Sequence, residues 1–413
     1  MSTRFGFTPV VPPFEGAGQE ESVVSAYMAR LESLGGTRWE LADYDDPAPL
    51  CLLVATGGTE GVVLGLHARR QAGVPGEPVL LIAHPGNNSL PASLEVLARL
   101  QQDGAQGRII YLRGIDDEAG FAVLGEALHD ARVRAALRSA RIGVIGKPSD
   151  WLVASSPPSG VVADTWCPEL VHIEVEALRQ AMRDATPAEV ALVTASLSEG
   201  STDTVEPSAE AISDASRVDV ALRSIVAEHG LNAVTVRCFD LVLEDSTSGC
   251  YALSDVTDAG VIAGCEGDVV STIGMLWANM LLGEVPWMAN PADLDEHGNS
   301  ILLAHCTVPR SLLESYRLRS HFESGLGVGI QGMLPRGPVT LLRIGGSMMD
   351  ALWLAEGQLV ETGDAENLCR TQARVALTRG DVRDLLSAPL GNHIVMVYGH
   401  HADRLATWWE TML

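Results

Sequence analysis

The chain holds 413 residues, of which 53 are acidic and 28 basic, so it carries a net charge of -25 at neutral pH and has a pI near 4.7. That balance argues against a nucleic-acid partner, because phosphate backbones are held by basic patches this chain lacks. A hydrophobic fraction of 46% with 20% charged residues is that of a globular protein; its apolar runs are too short to span a bilayer, and its length calls for two or three domains.

The amino-terminal segment Met1 to Pro9 shows no basic stretch followed by an apolar one, so a cytoplasmic location and no membrane partner are expected. Lys147 is the only lysine. The seven cysteines never fall in C-x-x-C spacing, which suggests neither a disulfide framework nor a structural zinc site.

From Pro49 an apolar strand leads through Thr56-Gly57-Gly58-Thr59-Glu60 into a helical pattern reaching Arg70. A second strand, Pro78 to Ala83, ends in the turn His84-Pro85-Gly86-Asn87-Asn88-Ser89; a helix over Pro91 to Gln102 and a strand over Arg108 to Leu112 follow. Strands alternating with helices imply a parallel, doubly wound sheet. The pattern restarts at Ala140 to Gly146 and continues to a strand over Asn232 to Val236, with the polar stretch Leu197 to Ser208 read as a loop. Beyond Pro309 short β-prone runs between Gly/Pro turns, such as Val339 to Ile344 and Asn392 to Tyr398, suit a small β-rich barrel or sandwich. The expected fold class is therefore α/β: two doubly wound parallel-sheet domains, residues 1–135 and 136–308, followed by a small C-terminal β-rich barrel domain, residues 309–413.

Chemistry-bearing residues concentrate in the second half. Glu266 and Asp268 stand at the start of a helix predicted over Val269 to Leu282, where exposed amides and the helix dipole favour carboxylates whatever their function. Asn290, Asp293, His305, His321 and His393 follow, each near turn-forming residues, and carboxylate and imidazole groups on strand ends and loops are what a divalent cation needs. Gly327-Val328-Gly329-Ile330-Gln331-Gly332 fits G-x-G-x-x-G but leads into Met333-Leu334-Pro335 and not a helix, so dinucleotide binding is set aside. The Thr56 to Glu60 loop lacks a P-loop lysine and reads as a tight connection. His84, Asn87 and Asn88 lie where open α/β sheets bind ligands and are candidate sugar contacts, with a plain turn and N-cap as the other reading. His400 and His401 read as solvated.

The segments Ala263 to Asp268, Gly283 to Met288, His321 to Val328 with Pro338 to Ile344, and Gly391-Asn392-His393 resemble the L-fucose and L-arabinose isomerase superfamily over residues 235 to 398. The resemblance implies a metal-dependent aldose-ketose isomerase working through an enediol, with Glu266, His321 and His393 as ligands and Glu266 also as base. It further implies a trimer or hexamer with sites shared between subunits. Where the family places a second carboxylate this chain has Asn290, which can offer a neutral carbonyl but cannot act as a base; either Asp293 takes that role or the acid/base work is divided otherwise. His305 is a further ligand or a substrate contact. A His/carboxylate set suggests Mn²⁺ or Mg²⁺. Rival readings are a metal-dependent lyase, epimerase or hydrolase on the same scaffold, and a non-catalytic sugar-binding protein.

Overall fold

The computed structural model describes residues 4–11 and 20–413, so the first three residues of the amino-terminal segment read above lie outside the described residues. The chain divides into two compact units, residues 1–136 with 407–413, and residues 137–406.

The first unit is built on five parallel strands: β1 (Phe5–Val10), β2 (Gly36–Arg38), β3 (Leu50–Val54), β4 (Val79–Ala83) and β5 (Gly107–Tyr111), in the order β2-β1-β3-β4-β5. Every residue of β3 and β4 is buried, as expected for strands covered on both faces, which is why they read as continuous apolar runs. Helices over Glu60–Gly73 and Ser89–Gln102 supply one cover, packing Val63, Val96 and Leu100 against Leu50, Leu52, Val54 and Leu81. The Thr56 to Glu60 loop is the tight strand-to-helix connection expected, closed by the Thr59 hydroxyl donating to the Thr56 carbonyl at 2.7 Å.

The second unit repeats the motif with four parallel strands, β6 (Arg141–Ile145), β7 (Glu169–Ile173), β8 (Ala233–Val236) and β9 (Ile262–Cys265), in the order β7-β6-β8-β9. The strand order reverses between β6 and β8, and open sheets bind ligands in the crevice outside the carboxyl ends of the strands at such a point. The loop read over 197–208 is shorter than expected: a helix over Pro187–Gly200 runs into it, started by a reciprocal Thr186/Glu189 capping box, and Ser208 caps the next helix.

The chain then forms strands β10 (Trp287–Asp295), β11 (Ser300–His305), β12 (Ser315–Arg319), β13 (Gly329–Met333), β14 (Gly337–Gly345), β15 (Ala351–Thr362), β16 (Thr371–Arg379) and β17 (Ile394–Tyr398). Six of them close into a barrel, β10-β11-β16-β15-β14-β17, with every neighbouring pair antiparallel, while β12 and β13 form a separate ribbon. Two barrel strands thus precede residue 309. On β15 the residues alternate with period two, Trp353, Ala355 and Leu359 entering the core that holds Trp287, Ile301, Leu303, Val339, Leu341, Val375 and Met396. The G-x-G-x-x-G run lies on the approach to β13 and along it, with no helix following. Among the described residues no helix is long and apolar enough to cross a membrane.

One helix ties this barrel to the parallel sheet. It spans Val269–Leu282, its N-cap is Asp268, and Gly283 ends it in the left-handed conformation. At Gly274 in its middle the helix faces Leu342 and Ile344 of β14 and Val395 of β17. The helix start therefore falls beside both the carboxyl end of β9 and the chain entering β17.

Candidate active site

The turn after β9 is Glu266-Gly267, and both residues have positive φ, 63° and 73°. A non-glycine residue in this region is strained and persists only where its surroundings over-determine it. Here the Ser149 N–H donates to the Glu266 carbonyl at 2.9 Å and the Gly267 N–H to the Val236 carbonyl at 3.0 Å. Gly267 admits no side chain, because a Cβ would lie 2.8 Å from the Lys147 carbonyl oxygen and from the Pro148 Cα. Lys147 itself is exposed, in the loop after β6.

The turn directs the Glu266 side chain toward two buried imidazoles. Donor atoms of Glu266, His305 and His393 all lie within 4.8 Å of one another. His305 ends β11 and His393 immediately precedes β17, so the carboxylate comes from the parallel sheet and both imidazoles from the barrel. His393 is placed by its approach: at Gly391, whose φ is 144°, a Cβ would strike the Arg343 guanidinium, so the segment can pass only as glycine.

His393 is fully buried, and its Nδ1 lies 2.8 Å from Asp268 Oδ2. With the ring N–H donating to this carboxylate, Nε2 points away with no hydrogen-bond partner, 3.7 Å from Glu266 Oε1. Burial alone would lower the His393 pKa, but the hydrogen bond to Asp268 and the charges of Asp268 and Glu266 outweigh it and hold the imidazole up at about 9. Burial would likewise raise Asp268 and Glu266, yet Arg343 and His393 hold Asp268 well below the usual carboxylate range, and the His393 charge lowers Glu266. His305 behaves oppositely: burial, aided by the His393 charge, lowers it to about 4. His305 is therefore neutral, and its Nδ1 lies 2.8 Å from Thr307 Oγ1; the tautomer whose Nδ1–H donates to that hydroxyl leaves the Nε2 lone pair free.

Asp268 does double duty. As a helix-start acid it accepts from the Ser271 N–H at 2.8 Å, the role its position predicts; it also orients His393 and faces the buried Arg343, 3.4 Å away. A carboxylate holding the far nitrogen of an imidazole is the usual support for a metal-binding histidine, since it fixes the tautomer and raises ligand basicity. The orphaned Nε2 beside a carboxylate oxygen fits a cation, which by displacing the Nε2 proton would satisfy both at once.

Not every expected residue joins this cluster. His321 is buried, with Nδ1 3.0 Å from Ser324 Oγ and its ring edge-on to Phe239, but it is not one of the three clustered donors. His305 stands where His321 was expected. Asn290 is half-buried on β10 opposite Ala304, the neighbour of His305, and strand alternation puts it on the face of Met288, whose sulfur accepts from the Cys265 N–H. Asp293 lies beyond an irregularity in β10 with its side chain 57% exposed and paired with Arg374 at 3.1 Å, away from the buried donors. In the first unit the turn after β4 buries His84, whose Nε2 is 3.1 Å from the Ala55 carbonyl and whose ring stacks on Tyr27, and leaves Asn87 and Asn88 exposed, both at positive φ. His401, expected to be solvated, is half-buried and reaches the Tyr398 carbonyl at 2.9 Å. All seven cysteines are free thiols, Cys238 and Cys265 lying 3.1 Å apart.

Sheet, helix and barrel thus define an α/β chain with a buried carboxylate–imidazole centre able to hold a metal ion, beside the carboxyl end of β9. No protein-family profile matches the chain. Among curated proteins it is 24% identical over 242 residues to a sulfoquinovose isomerase of Alkalicoccus urumqiensis, a match covering 57% of this chain and 54% of that protein. Sulfoquinovose isomerases of Priestia aryabhattai and Priestia megaterium are each 22% identical over 204 residues, 48% of this chain and 46% of theirs. The chain spans about half the length of the curated relatives it matches.

Proposed function

We propose that this protein is a metal-dependent aldose-ketose isomerase. The observation that carries the reading is the orphaned His393 Nε2, held toward Glu266 by a buried carboxylate and accompanied by the neutral His305. In this reading Glu266, His305 and His393 hold one divalent cation, and Asn290 offers a neutral carbonyl beside them. Two imidazoles among three donors favour Mn²⁺ over Mg²⁺. When bound, such an ion supplies Lewis-acid stabilisation of the oxygen charge that develops as the sugar enolises.

The chain's own residues do the rest. Glu266, kept ionised by His393 and the Trp151 N–H, takes the carbon-bound proton next to the carbonyl and returns it to the adjacent carbon. In this reading His321, beside Phe239, exchanges protons with the sugar oxygens. Asp293, ion-paired on the exposed face of the barrel, stays outside this relay.

The relatives' names point to a sugar with an anionic group, and sulfoquinovose is a glucose bearing a sulfonate on carbon 6. Sulfoquinovose, glucose and glucose 6-phosphate, each incubated with the Mn²⁺-loaded protein in deuterated water, test the proposal by NMR. The expected result is a ketose from at least one aldose, with solvent deuterium at carbon 2 of the recovered sugar. Release of water, a change of configuration without a ketose, or hydrolysis would favour the rival reactions. Binding of a sugar with no turnover at any metal loading would sink the enzymatic reading.

A further inference from the structure

The strand order reverses between β6 and β8, and the loops beyond their carboxyl ends carry aromatic side chains that the proposed chemistry leaves without a role. The loop leaving β6 carries Trp151, and the residue after Cys238, two beyond β8, is Phe239. The Trp151 indole N–H donates to Glu266 Oε2 at 2.6 Å, while 49% of the residue remains exposed. Its ring meets Phe239 edge-on with centroids 4.8 Å apart, and Phe239 meets His321 edge-on at 5.4 Å. An aromatic row therefore runs from the carboxylate to the imidazole at the place where an open sheet receives its ligand. A tryptophan whose polar tip is spent on a buried carboxylate and whose ring stays open to solvent suits a ligand that is polar at its edge and apolar on its face.

We propose that Trp151 is a substrate-positioning residue with two functions. Its N–H occupies Glu266 Oε2, so that only Oε1 turns toward His305 and His393. Its exposed ring gives the C–H face of a sugar a surface to stack on, beside Phe239. This inference rests on the isomerase reading for the identity of the ligand, but the hold on Glu266 does not depend on it.

Two variants separate the functions. Trp151→Phe keeps a ring and removes the N–H; Trp151→Leu removes both. In calorimetric titration with Mn²⁺ both variants should bind the ion about tenfold more weakly than the parent, the effect of losing one hydrogen bond to a charged group. In turnover Trp151→Phe should lower kcat with KM nearly unchanged, and Trp151→Leu should raise KM about fivefold further through the lost ring contact. Emission of the parent protein should change on addition of sulfoquinovose, and Trp151→Phe should abolish the change. Unaltered Mn²⁺ affinity in Trp151→Phe overturns the hold on Glu266; a sugar-dependent emission change that survives in Trp151→Phe overturns the stacking surface. If the parent turns over no aldose, the isomerase reading fails, and the metal and emission measurements still decide the role of Trp151.

Discussion

Replacing Asp268 by asparagine tests the centre at its most loaded point. The carboxylate accepts from the Ser271 N–H, from the Ser271 hydroxyl at 2.7 Å and from His393 Nδ1, and it faces the 1% exposed guanidinium of Arg343. Asparagine retains an oxygen for the helix start, so the cap survives. What disappears is the charge opposite Arg343, and leaving a buried charge unpaired costs about 3–5 kcal/mol. The Ser155 hydroxyl and the Leu390 carbonyl still accept from Arg343, which puts the expected loss at the lower end, about 3 kcal/mol. That is a large share of the about 5–15 kcal/mol that holds a typical domain together. The weakened orientation of His393 should cost a further factor of about 10–100 in metal affinity. Urea unfolding of the metal-free protein reads the first effect, and Mn²⁺ titration calorimetry at a temperature where the variant remains folded reads the second. In a His393→Ala background, Asp268→Asn should leave residual affinity unchanged, because the two residues act through one contact. An additive loss of affinity in the double variant, or full affinity in Asp268→Asn alone, would refute the argument.

Metal content should also distinguish the histidines: His305→Ala should purify with its Mn²⁺ largely lost, whereas His321→Ala should retain the ion and lose turnover, as elemental analysis and NMR assay would show. A separate prediction concerns the buried Asp219, which accepts from Arg223 Nε at 2.9 Å on one oxygen and has no partner on the other. Burial, with the neighbouring Asp255 charge, raises its pKa from 3.8 to about 7. Between about pH 4 and 7 the folded chain keeps a proton that the unfolded chain releases, so this group subtracts stability as pH rises through that window and the full penalty stays above it. Asp219→Asn removes the penalty, and its melting temperature relative to the parent should climb from pH 5 to pH 8; a constant difference would show that Asp219 does not titrate there.

Features encoded by neighbouring residues were legible in the sequence. The helix over Val269–Leu282 matches its expected bounds because Asp268 and Gly283 are start and stop signals in themselves. The alternating strands were equally visible, since a buried parallel strand is a short apolar run between turns. Strand β1 escaped because the amino-terminal segment was read only for targeting. Two barrel strands fell on the far side of the expected boundary because Ser300–His305 is buried throughout and looks like any interior strand, while Pro291 disguises β10. At the site, Glu266 and His393 were identified as ligand candidates, but His305 and His321 both stand beside turns, and nothing local says which of them faces the carboxylate. Trp151 lies 115 residues from Glu266 in sequence, and no local pattern connects the two.

The solitary lysine gains a practical meaning from its place. Lys147 is exposed, and its carbonyl abuts the turn whose first residue is Glu266. Every other basic side chain is arginine, which standard amine chemistry leaves alone, so the chain offers one ε-amine, a few residues before the aromatic wall. An activated ester carrying a fluorophore or a spin label would mark this loop at a single side chain, and movement of the loop could be followed without removing any cysteine from the core.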